Sequence, residues 1–263
     1  MRVNKLRQIW QSGGYVANGW LMIPNSFATE LMAHQGWESL TVDMQHGMIG
    51  FTDALSMLTA ISTTDCVPVV RVPWLEPGIL MKVLDAGAEA VICPMVNNAE
   101  EAEQLISATH YPPRGTRSFG PVRASMYGGG AGYHKTANDN VVAFAMIETQ
   151  QGLDNLEDIL RVDGLEAIFV GPSDLSLALG CEARFDDLDK PAQEAIEYIA
   201  AKCKENNVIA GIFTSSPETA MKRVETGYQF VTVTSDAALI SAGAQQALSR
   251  VNKGADAAAK SSY

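Results

Sequence analysis

The chain lacks long apolar runs and an excess of basic charge, and each absence excludes a class of protein. None of its segments approaches the roughly 18 apolar residues that span a bilayer, and the N-terminal "MRVNKLRQIW" has no apolar stretch after its positive charges. The formal net charge is -11, from 30 acidic and 19 basic side chains, and it would repel a phosphate backbone. We therefore expect a cytoplasmic protein that binds neither membranes nor nucleic acid.

Cysteine is also scarce, and the few cysteines are not paired in sequence. Their scattered positions contain no CxxC spacing, which argues against a zinc knuckle and against a disulfide framework. The four cysteines are Cys66, Cys93, Cys181 and Cys203. We expect them to be reduced thiols, most of them buried.

Short β-branched or apolar runs alternate with helical patterns along nearly the whole chain. The predicted strands are residues 17–24, 39–45, 67–73, 90–96, 141–149, 167–172, 209–215 and 230–236. Eight βα units in about 250 residues predict a parallel (β/α)8 TIM barrel, here a single domain over residues 1–252. The alternative is a doubly wound open sheet, which would usually show GxGxxG after its first strand, whereas this chain has "IPNSFATE".

Two segments do not fit the βα repeat. Residues 112–138, "PPRGTRSFGPVRASMYGGGAGYHKTAN", are too long and too rich in glycine, arginine and aromatic residues for a plain connection. We expect them to form a functional loop over the mouth of the barrel. Residues 253–263 are expected to be a disordered C-terminal tail.

Polar residues follow several of the predicted strands, at the end where a TIM barrel carries its active site. Asp43 and His46 lie in "TVDMQHGMIG", Arg71 lies near the end of the third strand, Glu148 ends the fifth and Asp174 follows the sixth. Taken singly, Asp174 could be a helix cap, and Glu148 or Arg71 could be a salt-bridged core residue. Their convergence on one rim favours a site.

The residue types at this rim suit enolate chemistry. Two carboxylates brought together would repel unless a cation neutralises them, and oxygen ligands favour Mg²⁺, Mn²⁺ or a similar ion. Arg71 offers a planar fork for a substrate carboxylate, and His46 offers a base that Asp43 could orient. No lysine stands at a strand end to form a Schiff base, which favours a metal-assisted mechanism.

The rim lies within a longer pattern that resembles the HpcH/HpaI class II, metal-dependent pyruvate aldolases of the phosphoenolpyruvate/pyruvate barrel superfamily. The resemblance extends over nearly the full length of the chain. Within that family the chain most resembles the hydroxy ketoacid aldolases. It rests on six blocks in family order: "VDMQHG", "VVRVPW", "LDAGAEAVICPMVNNAEEAEQL", "YPPRGTRSFGP", "MIETQQGLDNLEDIL" and "GLEAIFVGPSDLSLALG".

The resemblance implies a role for each rim residue. Glu148 and Asp174 would bind a divalent cation (Mg²⁺, Mn²⁺ or Co²⁺), which pyruvate or hydroxypyruvate would chelate. Arg71 would contact the keto oxygen, and His46, paired with Asp43, would move the proton. The remaining substrate-binding positions are Gly171, Pro172, Ser173 and Arg123. Backbone amides around Ser173 and Asp174 would hold the carboxylate, and Arg123 would help to receive the aldehyde.

The resemblance further implies aldol addition and cleavage of a 4-hydroxy-2-oxo acid, oxaloacetate decarboxylation as a side activity, and a homohexamer whose last helix packs on a neighbour. Two positions depart from the commoner family pattern, Gln45 in place of Glu and Met146 in place of Gln. Both departures put the native aldehyde in doubt. The alternatives are a CoA-thioester carbon-carbon lyase of the malyl or citramalyl-CoA type, and a barrel that binds a small acid without turnover.

Overall fold

Eight parallel strands pair in chain order, and the last pairs with the first. The computed structural model describes residues 4–251, so the predicted tail at 253–263 lies outside the described residues. The strands are β1 Val16–Leu21, β2 Ser39–Asp43, β3 Val67–Arg71, β4 Ala90–Cys93, β5 Val142–Ile147, β6 Ala167–Val170, β7 Ile209–Phe213 and β8 Phe230–Ser235. The sheet is a closed barrel, which confirms the predicted TIM barrel and excludes the open sheet.

Helices follow the strands and cover the outside of the barrel. They are α1 Lys5–Gln11, α2 Ser26–Ala33, α3 Phe51–Ile61, α4 Pro77–Asp85, α5 Ala99–Thr109, α6 Val122–Tyr127, α7 Ala137–Asn140, α8 Gln150–Asp154, α9 Leu156–Leu160, α10 Pro172–Ala178, α11 Lys190–Glu205, α12 Pro217–Glu225 and α13 Asp236–Val251, with a 3₁₀ turn at Gly130–Lys135. Side-chain caps begin several of them, as where Ser216 accepts the amide of Thr219.

Alternation along the strands divides the core into two layers. One set of side chains fills the barrel and includes Phe144, Phe169 and Phe230, whereas their neighbours in sequence pack outward against the helices. The same alternation turns the side chains of Asp43 and Arg71 toward the barrel interior, where each is the last residue of its strand. The strand ends therefore carry polar side chains above an apolar filling.

Helix α1 closes the N-terminal end of the barrel, opposite the strand ends that carry the polar side chains. Leu6 and Trp10 are buried with the interior layer, and the Trp10 indole donates to the carbonyl of Gln229 at 2.9 Å. Arg7 holds the carboxylate of Glu166, the residue before β6. Side chains of α1 thus pack against the interior layer at the N-terminal end of the barrel.

The long segment at 112–138 lies at this N-terminal end, which corrects the expectation that it covers the barrel mouth. Arg123 donates to the carbonyls of Ala86 and Leu58, at the ends of helices that lead into strands. The side chain of Asn4, beside the plug, donates to the carbonyl of Asn140. The physical reason is topological: the segment joins α5 to β5, and a helix-to-strand connection in a βα barrel lies at the N-terminal face.

Helix α13 covers little of its own barrel. Only Asp236, at its first position, is buried, whereas Leu239, Ile240 and Leu248 are exposed.

All four cysteines are free thiols and three are buried, as expected. Within residues 4–251 we find no helix of the length and apolarity needed to cross a bilayer.

Candidate active site

A buried ion pair joins the ends of two neighbouring strands. Asp43 and Arg71 are register partners in the β2–β3 ladder, so their side chains emerge side by side on the interior face. Arg71 Nε donates to Asp43 Oδ1 at 2.8 Å and Nη2 donates to Oδ2 at 2.6 Å. Both residues are buried, and a two-point contact of this kind fixes the plane of the guanidinium. Among the described residues, Nη1 of Arg71 makes no hydrogen bond, which leaves it for a ligand.

The aspartate is held as a carboxylate. Burial raises the pKa of Asp43, but the hydrogen bonds and charge of Arg71 outweigh it, with help from the Trp20 indole and the Gln45 amide, so that the pKa lies below its usual value. Trp20 Nε1 donates to Asp43 Oδ2 at 3.2 Å, and its ring lies 4.8 Å from Arg71 Cζ. The pair therefore stays charged at neutral pH.

Within residues 4–251 Asp43 makes no hydrogen bond to the imidazole of His46, which differs from the expected pairing. Its Oδ1 instead accepts the backbone amides of Gln45 at 3.1 Å and His46 at 3.3 Å. Gly47 completes this turn, since an added Cβ would lie 2.2 Å from the Asp43 carbonyl oxygen. Asp43 thus fixes the backbone that carries His46, and the side chain of His46 is exposed at the rim.

Glu148 follows β5 and is almost fully buried. Its Oε1 accepts the backbone amide of Met95 at 2.8 Å, from a residue held at a φ of 58°, a conformation that a non-glycine residue adopts only at a cost. Burial raises the pKa of Glu148 to about 7, the charge of Asp174 also raises it, and the Met95 amide and the Arg71 charge lower it. Burial thus disfavours the charged form of this carboxyl group.

Asp174 lies in the first turn of α10, beside Glu148. Gly171 caps this helix, and an added Cβ there would lie 2.5 Å from Glu148 Oε2, so only glycine leaves room for the carboxylate. Pro172 and Ser173 follow, and the amides of a first helical turn have no partner within the helix. The turn therefore places an exposed carboxylate and free amides beside a buried carboxyl group.

These residues suit a divalent cation bound by few protein ligands. Within residues 4–251 no group of three or more His, Cys, Asp or Glu side chains could hold a metal ion. Two carboxylates of which one is forced partly neutral fit a cation that completes its shell with water and substrate oxygens. A closed structural zinc site is not formed there.

Arg123 is not brought to this rim. Its guanidinium contacts the carbonyls of Ala86 and Leu58, the hydroxyl of Ser62 and the ring of Tyr127, all at the N-terminal side of the barrel. The expected role of Arg123 in receiving the aldehyde stays a prediction, and this rim is not where its side chain lies within the chain. The other expected residues, Asp43, His46, Arg71, Gly171, Pro172, Ser173, Glu148 and Asp174, all lie at the C-terminal ends of strands or directly after them.

Sequence reasoning missed two residues that support the site. Trp20 was assigned to the first strand without a role, although its alternation with Asn18 points it inward near the strand end. Met95 could not be found, because a backbone amide donor leaves no mark in side-chain chemistry. Gln45, noted as a departure, has a buried Oε1 that accepts no hydrogen bond among the described residues.

Known proteins resemble this chain over almost its whole length. A family model described as HpcH/HpaI aldolase/citrate lyase matches residues 19–242. The chain is 40% identical over 246 residues to a hydroxypyruvate/pyruvate aldolase of Rhizorhabdus wittichii, covering 94% of this chain and 98% of the relative. It is 39% identical over 234 residues to a 2-dehydro-3,6-dideoxy-6-sulfogluconate aldolase of Pseudomonas putida, covering 87% of this chain and 89% of the relative.

A solved structure agrees with the sequence relatives. The crystal structure of an HpcH/HpaI aldolase/citrate lyase family protein from Burkholderia cenocepacia J2315 matches with a TM-score of 0.89 at 31% identity, covering 95% of this chain and 100% of the other. The family match includes the strand ends that carry Asp43, Arg71, Glu148 and Asp174. The chain is therefore a lyase that belongs to the HpcH/HpaI aldolase/citrate lyase family.

Proposed function

We propose that this aldolase adds the enolate of pyruvate or hydroxypyruvate to an aldehyde, and cleaves the resulting 4-hydroxy-2-oxo acid in the reverse direction, with a divalent cation bound by Glu148 and Asp174. The observation that carries the proposal is the buried Arg71–Asp43 pair, which leaves one guanidinium nitrogen without a hydrogen bond among the described residues and whose arginine charge lowers the pKa of Glu148. The hydroxypyruvate/pyruvate aldolase relative supports the choice of 2-oxo acid.

Arg71 acts on the oxygen that becomes charged. When the C3 proton of pyruvate leaves, negative charge develops on the keto oxygen, and a fixed guanidinium stabilises it more in the transition state than in the ground state. The two-point contact with Asp43 fixes Arg71 in advance, so little reorganisation is needed as the charge forms. The same enolate forms when oxaloacetate loses carbon dioxide, so we expect that side activity.

The cation supplies Lewis-acid polarisation of the keto group when it is bound. Glu148 and Asp174 would hold it, and its charge would displace the proton that burial retains on Glu148. Mg²⁺, Mn²⁺ and Co²⁺ all suit this oxygen donor set. The amides of Ser173 and Asp174 would hold the substrate carboxylate, because first-turn amides lack partners in the helix.

His46 would move the proton. The side chain of His46 is exposed at the rim. Asp43 Oδ1 accepts the backbone amide of His46, not a ring nitrogen. An imidazole can accept and return a proton, which is the role of a general base in enolate formation. We therefore revise the part played by Asp43: it holds the fork of Arg71 and the turn of His46 together.

We further propose a single domain over residues 1–252, a cytoplasmic location and a homohexamer built as a trimer of dimers. The exposed apolar side chains of α13, which include Leu239, Ile240 and Leu248, support assembly, because they are left in water by their own barrel. Free cysteines support a reducing compartment. Equilibrium ultracentrifugation would measure the assembly.

A CoA-thioester lyase is the competing enzyme. It would need basic residues for the nucleotide, whereas the chain carries a net charge of -11. A malyl-CoA assay separates the two activities. A barrel that binds small acids without turnover would bind pyruvate and fail to exchange its C3 protons.

The decisive experiment incubates the protein with pyruvate in deuterium oxide, with Mg²⁺, Mn²⁺ or Co²⁺ and with a chelator. Cation-dependent deuterium incorporation at C3 is expected without any aldehyde. A panel of aldehydes with pyruvate and with hydroxypyruvate then identifies the acceptor. Absence of exchange with every cation would contradict the proposed enolate chemistry.

A further inference from the structure

We infer that Trp20 is a positioning residue, whose indole N–H and ring together set the orientation of the Arg71 fork that receives the substrate oxygen. The inference rests on the proposed function and adds a residue to it. Trp20 is buried at the end of β1, one strand away from Asp43 and two from Arg71. It contacts both members of the ion pair.

The carboxylate of Asp43 receives its donors unevenly. Oδ1 accepts three, from Arg71 Nε and from the amides of Gln45 and His46. Oδ2 accepts two, from Arg71 Nη2 and from Trp20 Nε1. Without the indole N–H, Oδ2 would keep only Nη2, and a fully buried carboxylate oxygen with one donor draws that donor toward itself. The free Nη1 of Arg71 would turn with it.

The ring of Trp20 supports the guanidinium from a second direction. Arg71 Cζ lies 4.8 Å from the ring centroid, within the range of a cation–π contact. The ring of Trp20 thus contacts Arg71 directly, and its indole N–H acts on Arg71 through Asp43. Both restraints come from one side chain.

Trp20 is itself held rigidly. Its ring stacks on Phe169 at 5.8 Å and meets Phe213 edge-on at 5.2 Å. Packing at interior density on both sides prevents the indole from following a displaced carboxylate. A donor fixed in this way imposes its geometry on Asp43 and, through Asp43, on Arg71.

The test compares Trp20→Phe with Trp10→Phe. Trp10 is a matched control, because it is also buried in the interior layer, also donates from Nε1, here to Gln229, and also contacts a phenylalanine, Phe144. Its position at the N-terminal plug removes it from the rim. Both substitutions remove one buried indole donor and part of one ring.

Trp20→Phe should lower kcat and C3 proton exchange about tenfold with the KM for pyruvate nearly unchanged, because the lost geometry matters most when charge develops on the oxygen. Trp10→Phe should lower thermal stability and leave kcat unchanged. Oxalate, a planar dianion that resembles the enolate, should bind Trp20→Phe about tenfold more weakly by calorimetry, while pyruvate binding changes little. Trp20→Leu, which also removes the ring, should lower kcat and C3 proton exchange further than Trp20→Phe does.

Equal kcat values for Trp20→Phe and Trp10→Phe would overturn the inference, as would a loss confined to KM. Site-specific replacement of Trp20 by benzothienylalanine keeps the bicyclic ring without the N–H, and replaces Trp20→Phe if that variant does not fold. A crystal structure of the variant gives a readout independent of activity: the Arg71 fork should rotate on Asp43. A wild-type protein that fails to exchange pyruvate protons would contradict the proposed function alone, whereas an unmoved fork would contradict the role of Trp20 alone.

Discussion

Two arginine forks grip carboxylates at opposite ends of this barrel, and only one belongs to a site. Arg7 donates from Nε and Nη2 to Glu166 at 2.7 and 2.8 Å, with the same two-point geometry that Arg71 uses on Asp43. The Nη2 of Arg7 also donates to the carbonyl of Val141, and its buried Nη1 makes no hydrogen bond within the described part of the chain. Arg7 is therefore committed to the plug.

The difference lies in what surrounds the third nitrogen. Arg71 keeps Nη1 free of hydrogen bonds among residues 4–251 and lies close enough to Glu148 to lower its pKa. Arg7 instead contacts Glu166 and the carbonyl of Val141, at the N-terminal end of the barrel. A two-point contact between an arginine and a carboxylate is thus by itself no sign of catalysis. Its place at the C-terminal ends of the strands, beside groups with shifted pKa values, is what distinguishes the Arg71–Asp43 pair.

The strongest test of the comparison removes the buried carboxylate at the rim. Glu148→Gln should abolish cation binding in calorimetric titration and reduce exchange below detection, because amide oxygen carries no charge to replace the lost ligand. Asp174→Asn should behave similarly. Unchanged cation affinity in both variants would show that the ligands lie elsewhere.

Glu148→Gln should also make the cation-free protein more stable at pH 8. Folding raises the pKa of Glu148 to about 7, so the folded chain holds this proton more tightly than the unfolded chain. The contribution of Glu148 to the free energy of unfolding is fully present below the unfolded pKa. It is lost as pH rises through about 7, at a cost of about 3 kcal/mol above that pH. The thermal midpoints of Glu148→Gln and of the wild-type protein should therefore agree at pH 4 and differ at pH 8.

Replacing the proposed base comes next in size. His46→Ala should slow C3 exchange of pyruvate by ~10² to 10⁴, with cation binding intact, because it removes proton transfer and no ligand. His34→Ala is the matched control, since His34 is an exposed histidine at the end of α2 away from the rim. Wild-type exchange in cation-loaded His46→Ala would sink the assignment.

The two forks can be compared directly by the same substitution. Arg71→Lys should lower kcat ~10²-fold, because lysine keeps the charge and loses the planar two-point contact. Arg7→Lys loses an equivalent contact and should lower thermal stability with kcat unchanged. A defect of Arg71→Lys that appears only in KM would assign Arg71 to ground-state binding instead.

The smallest expected effect is the pH dependence of cation binding. Because burial raises the pKa of Glu148 to about 7, protons compete with the cation below that pH. Affinity should fall about tenfold per pH unit below pH 7 and level off above it. A profile that is flat between pH 5 and pH 8 would contradict this competition.

The strands show how far periodicity reaches. All eight predicted strands are present, and each ends one to three residues earlier than its apolar run, as at 39–45 against Ser39–Asp43. The extra residues are the rim turns, where polar groups such as Gln45 replace strand pairing. The prediction that residues 112–138 cover the barrel mouth was wrong. The order of elements already indicated the correct place, since a segment between α5 and β5 belongs at the N-terminal face.

The sequence by itself determined the barrel, its family and the residue types at the rim, because repeated βα patterns and strand-end positions are properties of local order along the chain. Tertiary structure alone decided the partners. Asp43 meets Arg71 rather than the His46 imidazole because strand register sets them side by side, and Trp20, Met95 and the chain turn at Gly171 reach the site only when the sheet closes. Hydrogen bonds across strands depend on distances of a few ångströms between residues far apart in sequence, and no local pattern encodes them.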